Sequence, residues 1–375
     1  MCQVLGSHVF RNRYMMDFKV ISSNLSKMHI FSLFLIGAFF LGSCAVSTDP
    51  KDPLLDFQDE VNLTSKRLKT SDSLYRAGGI LVFDDVLFVY DNEMDYLYKI
   101  IAIDQDQLLK RFGKVGQGPC ELDPSLITYK SGVDGKLIGM FEMGSREFQE
   151  YSVKEILESK DDPACIPFQG KIDSEISLAI KVREDIFLGV TNGKPYALLT
   201  GNQVVQTIGE FPFQEQFEGI HPFILELAYQ NKLHKHPTKS LFLGTSTFSF
   251  NMDILELNNE DNLVLKKSLH FWPTEFEPSN DPNQFFAAIK AENRFGNVST
   301  SVSENYIYVL YSDEPWEYQF PLKSKRVLVY DWEGNPIRIL QLDTELSMIA
   351  VHEKDEFLIG YVDDGRANLY QFKLD

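Results

Sequence analysis

The chain has 375 residues and a formal net charge of −18, with 44% hydrophobic, 13% aromatic and 24% charged residues. This composition excludes a disordered chain and a low-complexity fibre. The acidic balance, with no Lys/Arg cluster to override it, excludes a nucleic-acid binder, which must bring concentrated positive charge to a polyanion.

The first feature in chain order is the apolar run IFSLFLIGAFFL at residues 30–41, preceded by Lys27 and followed by Gly42, Ser43 and Cys44. A stable membrane-spanning helix needs about 20 apolar residues. The shorter run reads as the core of a signal peptide covering residues 1–43. Met15, Met16 and Met28 all precede it, so an over-extended start belongs to the reading. Leu41-Gly42-Ser43-Cys44 resembles a bacterial lipobox, in which two small residues fit the peptidase cleft and the cysteine thiol receives diacylglycerol. The expected attachment residue is Cys44, and the expected location is the cell envelope, as an outer-membrane lipoprotein. Residues 1–43 contain four basic residues and one acidic one, so cleavage leaves a still more acidic chain. Such a surface is repelled by anionic head groups, and the acyl chains alone would hold the protein to the membrane.

Residues 44–56 are polar, with Pro50 and Pro53, and read as a tether. Once Cys2 is lost with the signal and Cys44 is consumed by lipid, Cys120 and Cys165 remain. They are either a pair or two separate buried thiols, and no C-x-x-C or Cys/His spacing points to zinc.

A repeat follows. Short apolar and aromatic runs occur as LFVYD (87–91), LIGMFE (137–142), IFLGV (186–190), LFLGT (241–245), IYVLYS (307–312) and FLIGYV (357–362). Each is followed by a polar turn and a second strand-like run: YLYKI, FQEYSV, YALLT, DILEL, RVLVYD and NLYQF. An outer strand is clearest in LLKRFG, VVQTIG, LVLKKSL and IRILQL. Strands joined by Asp, Asn and Gly turns at a period of roughly 50–65 residues predict propeller blades. The fold class is therefore all-β, a six-bladed β-propeller over residues 57–375. The sixth copy ends at NLYQF without an outer strand, and residues 57–69 (FQDEVNLTSKRLK) are expected to supply it and close the ring. Two stretches break the pattern: residues 223–233 (FILELAYQNKL), with the spacing of a helical insertion, and residues 272–292, with three prolines and a short helix expected from Pro282.

The segments RFGKVGQGPCEL (111–122), NYIYVLYSDEP (305–315) and above all RVLVYDWEGNPIRILQLD (326–343) resemble the six-bladed TolB-like propeller lipoproteins of Bacteroidetes. Cys120 departs from the pattern, standing where a second glycine is expected after Gly118-Pro119. The resemblance implies a fold and an exported location; propellers host many unrelated activities, so it implies no reaction.

The candidate chemistry is sparse. Gly113, Gly116 and Gly118 lack the following helix that a phosphate cradle requires and read as an inter-blade turn. His234 and His236 are a close pair without a third ligand, expected at a solvated helix end; His221 stands at no ligand spacing, and His270 and His352 read as structural. Glu142, Asn192 and Asn305 do not match the register of calcium-dependent propeller lactonases, and there is no G-x-S-x-G or H-E-x-x-H. Trp272, Trp316 and Trp332 either fill the wedges between blades or form a stacking face. No catalytic residue, metal or cofactor is assigned. The leading expectation is a non-enzymatic scaffold binding a protein or glycan ligand. The alternative is a hydrolase or lyase acting on envelope or dietary glycans at the central channel, marked by carboxylates and histidines converging at one mouth.

Overall fold

A computed structural model describes residues 51–374, apart from residues 92, 94, 117, 119–120, 133, 161–169, 173–175, 192, 280–283 and 316–321. Two short N-terminal strands, β1 (Glu60–Leu63) and β2 (Ser65–Arg67), precede the first blade. Blade one is β3 (Ala77–Phe83), β4 (Val86–Asp91), β5 (Tyr96–Ala102) and β6 (Gln107–Lys114). Blade two is β7 (Leu126–Ser131), β8 (Leu137–Glu142), β9 (Glu147–Ser152) and β10 (Gly170–Lys171), with helix α1 (Val153–Glu158) before its outer strand. Blade three is β11 (Ile176–Arg183), β12 (Ile186–Thr191), β13 (Tyr196–Thr200) and β14 (Gln203–Ile208). Helix α2 (Pro222–Tyr229) leads into blade four: β15 (Lys232–Lys235), β16 (Leu241–Thr245), β17 (Asn251–Leu257) and β18 (Leu263–His270). After the hairpin β19 (Phe276–Pro278) and β20 (Ala287–Ile289) comes blade five: β21 (Arg294–Val302), β22 (Tyr306–Pro315), β23 (Ser324–Asp331) and β24 (Pro336–Leu346). Blade six is β25 (Met348–Val351), β26 (Phe357–Asp363) and β27 (Ala367–Lys373).

The six apolar runs are strands, as expected, but each is the second strand of its blade. An inner strand precedes every one. These inner strands mix apolar residues with Lys130, Lys232, Ser301 and other polar residues that face the ring's axis, so they lack the apolar character of their neighbours. The core is a ring of layers between adjacent blades: Leu87 and Val89 of blade one, for example, pack with Ile359 and Tyr361 of blade six.

Closure by the N-terminal segment holds, with a division of labour absent from the sequence reading. Only β2 completes blade six, antiparallel to β27 with Ser65 opposite Phe372 and Arg67 opposite Tyr370. Strand β1 instead adds in parallel to β24 of blade five, Glu60 opposite Ile339 and Leu63 opposite Leu342. The segment read as a tether is docked from Lys51 onward: the Lys51 N–H donates to the Phe271 carbonyl at 3.1 Å, and Leu54 and Phe57 pack on the core between blades four and five.

Helix α2 is shorter than the expected 223–233. His221 caps it, Nδ1 accepting the Phe223 N–H at 3.2 Å, and Gln230 ends it with a φ of 43° in the left-handed region. The residues beyond become β15, because their backbone pairs with β16. The helix expected from Pro282 is likewise corrected where it is described: Ala287–Ile289 is a strand paired with Phe276–Pro278. Helix and hairpin share a small core of Phe211, Ile224, Leu225, Ala228, Tyr229 and Phe276.

Candidate functional site

All six inner strands line a central channel of about 910 Å³, with Ile80, Thr128, Ile180, Lys232, Ser301 and Ile349 contributed by blades one to six in turn. The volume falls in the range of small-molecule sites, about 300–1,000 Å³. At the mouth where the inner strands begin, Glu226 and Leu227 of α2, with Gln230 and Asn231, form part of the wall. The insertion thus contributes to the channel wall at one end.

The wall carries three lysines, Lys130, Lys232 and Lys235, in a chain whose overall charge is −18. Lys130 Nζ lies 3.4 Å from Glu353 Oε1. Burial pushes this ammonium down and the Glu353 carboxyl up, each partly offset by the other's charge. Lys235 Nζ donates to the Gly132 carbonyl at 2.8 Å, and burial lowers its ammonium despite the fields of Asp134 and Glu150. Lys232 has no hydrogen-bond or ion-pair partner among the described residues. The residue is exposed to the channel, and the wall around it, which displaces part of its solvent, pushes the ammonium below the usual lysine range.

Beside it, burial and then the charge of Lys232 lower His234 to about 4, so the ring is neutral at neutral pH; its buried Nε2 has no partner. Glu226 is only 5% exposed, and its Oε2 is buried without a partner. Burial raises its carboxyl above the usual range, with the Ser177 hydroxyl partly offsetting the effect. These groups face a cavity without satisfying one another.

His234 and His236 do not act as a pair, and neither stands at a solvated helix end. His234 lies in β15 on the channel wall, whereas His236 is fully buried. Its Nδ1 accepts the N–H groups of Thr238 and Lys239, both at 3.0 Å, and its Nε2 meets the Glu304 carbonyl at 3.0 Å. This fixes a neutral tautomer that joins blade four to blade five. Among the described residues no group of three or more His, Cys, Asp and Glu side chains is placed to hold a metal.

The glycine-rich run is an inter-blade turn, as expected. There Glu121 Oε2 accepts the Gly118 N–H at 2.9 Å, and Oε1 accepts from Lys114 Nζ at 2.6 Å. His221 caps α2, His270 Nε2 donates to Asp253 Oδ1 at 3.0 Å, and His352 stacks on Phe357. Glu142 accepts from the Ser145 hydroxyl, and Asn305 donates to Asp355. Trp272 and Trp332 are buried in the core between blades four and five, with ring N–H groups donating to the carbonyls of Arg294 and Ser303. Cys44, Cys120, Cys165, Asn192 and Trp316 lie outside the described residues.

The lysines and Glu226 were missed in the sequence because carboxylates and lysines abound there. The signal that marks three of them is position: the polar residues in the short stretch ahead of each apolar run, as in LITYKS and KLHK.

The family model described as TolB-like 6-blade propeller-like matches residues 56–354. No curated protein matches the chain in sequence. Among solved structures, the computationally designed Ika8 protein matches with a TM-score of 0.35 and 9% identity, over 79% of this chain and 83% of that one. A likeness that distant carries no argument about function.

Proposed function

Since this chain belongs to the TolB-like six-blade propeller family, and family and fold leave the task to a particular site, we propose that it is a binding protein that takes a small ligand into its central channel. The observation that carries this is the set of polar groups facing the cavity without partners: Lys232, His234 Nε2 and Glu226 Oε2. Buried polar groups are ordinarily satisfied, and groups left open at the rim of a shaped cavity are what a ligand completes.

Gly79 provides a test. It lines the channel, and a side chain added there meets only the Tyr90 Cβ, at 3.8 Å, so a bulky residue enters the cavity without straining the sheet. In a thermal-shift screen of defined organic acids, amino sugars and oligosaccharides, compounds that stabilise the parent protein should lose their effect in Gly79→Phe. They should keep it in Gly193→Phe, a substitution at an exposed glycine with open space around it. Equal stabilisation of both variants would overturn the channel as the site.

A hydrolase or lyase acting on glycans is the second reading, and Glu226 favours it, because a buried carboxyl with a raised pKa suits a general acid. Turnover of a glycan that Glu226→Gln abolishes would establish it over binding alone.

The location proposed is the cell envelope, through diacylglycerol on Cys44. The support is the signal-like run at residues 30–41 and the Leu-Gly-Ser-Cys tetrapeptide that follows it. Cys44→Ala is expected to abolish labelling by a radioactive fatty acid and to move the protein to the soluble fraction. Undiminished labelling would contradict the anchor.

A further inference from the structure

Resting on the channel as the ligand site, we infer that its ligand is a small organic anion, the charged end held by the wall lysines Lys232 and Lys235 and the body against the aliphatic part of the wall. The charge balance inside the ring runs opposite to that of the chain. Of the three wall lysines, Lys130 is matched by Glu353, whereas Lys232 and Lys235 have no carboxylate within 4 Å among the described residues. Lys235 is held by carbonyls, and Lys232 by no partner among the described residues.

An exposed ammonium on the wall of a cavity, with no counter-charge among the described residues, is free to meet an anion that enters the channel. The neighbouring His234, neutral and with its Nε2 unpartnered, adds no positive charge of its own but offers a ring nitrogen to a polar group of the ligand. Glu226 stands at the α2 end, where its unpartnered oxygen can meet a hydroxyl or N–H elsewhere on the same ligand. Ile80, Ile180, Leu233, Val302 and Ile349 give the wall apolar surface beside Thr128, Thr300 and Ser301, which favours a ligand with a hydrocarbon or ring body over a bare inorganic ion.

The acidic exterior does not prevent this. Its repulsion is screened beyond about 8 Å at physiological ionic strength, while a charge inside the channel is screened far less. It does disfavour long polyanions, most of whose charge would remain outside.

The test uses the full chain and two aldehydes that differ in charge, pyridoxal 5′-phosphate and pyridoxal. Each condenses with an unprotonated lysine amine and releases water, and borohydride then delivers hydride to the imine, leaving a secondary amine that peptide mass spectrometry locates. The exposed Lys66 and Lys69 give the reference ratio of the two labels. At Lys232 the phosphorylated aldehyde should be favoured about tenfold beyond that ratio: the imine consumes the Lys232 amine, and Lys235, the other wall lysine without a carboxylate, holds the phosphate in a charge-assisted contact.

Lys235→Arg should keep the preference and Lys235→Met should weaken it, with unfolding midpoints confirming that both variants fold. Protection of Lys232 by benzoate or by phenyl phosphate, but not by benzyl alcohol, is also expected, the stronger protector identifying the anionic group. Equal labelling by both aldehydes would show a channel that is reached but indifferent to charge; the anion inference would then fail while the channel reading survived. No labelling of Lys232 by either aldehyde would overturn both.

Discussion

Gly244 in β16 lies where the Tyr196 ring crosses from blade three into blade four, and a methyl group in its place would collide with that ring. The passage lets the Tyr196 hydroxyl donate to Asp253 Oδ2 at 2.9 Å, while Asp253 Oδ1 is met by the Ser268 hydroxyl at 2.6 Å and by His270 at 3.0 Å. Burial lifts the phenol well above its ordinary pKa, so it remains a donor. Removing one donor from a buried carboxylate costs about 1.5–3 kcal/mol, the value expected for Tyr196→Phe in urea unfolding. Gly244→Ala should cost at least as much, and the two changes together less than their sum, because both break the same contact. A loss for Tyr196→Phe within about 0.5 kcal/mol, the usual range for a surface substitution, would show that the network is redundant. Gly139 admits Tyr129 toward blade three by the same device, the Lys181 N–H donating to the phenol oxygen at 3.3 Å. The glycines are visible in LFLGT and LIGMFE, but not their purpose. For Gly244 the partner tyrosine lies a whole blade away, and nothing local in the sequence joins the two.

Among the elements, the N-terminal clasp is the one whose existence was legible and whose construction was not. Blade six has three consecutive strands, β25 to β27, and the backbone groups along the outer edge of β27 need a partner strand from elsewhere. That a single polar stretch divides between two blades depends on the register of β24 and β27, which composition does not encode. The inner strands escaped for a related reason, since their channel-facing lysines and serines interrupt the apolar pattern. Two carboxylates fasten the clasp. Asp106 accepts the N–H groups of Lys69 and Thr70 at 2.7 and 3.0 Å, and Asp343 accepts the Ser65 N–H at 3.0 Å. Burial alone would raise both, but these hydrogen bonds outweigh it and hold both carboxyls below the ordinary value. Their contribution is therefore complete above the unfolded value of about 3.9 and is lost as the pH falls through the lower folded value. In hydrogen exchange followed on acidification, corrected for intrinsic rates, amides of residues 65–70 should lose protection before those of β4 and β12. Simultaneous loss would mean that these carboxylates do not hold the clasp.

At the scale of the whole molecule, the ring separates two electrostatic environments: an exterior set by an acidic chain, and an axis where lysines gather with few counter-charges. The ring was legible in the sequence because the second and third strands of every blade repeat clearly. The channel was not, because its wall draws one short strand from each blade and so has no contiguous signature. Its character rests on Lys232, and carbon-13 NMR of reductively methylated lysines observes that residue directly, with Lys232→Met assigning the signal. The account predicts a Lys232 resonance that loses its proton below the ordinary lysine value of about 10.4 and shifts on addition of benzoate. A resonance that titrates with the exposed lysines and ignores benzoate would contradict it.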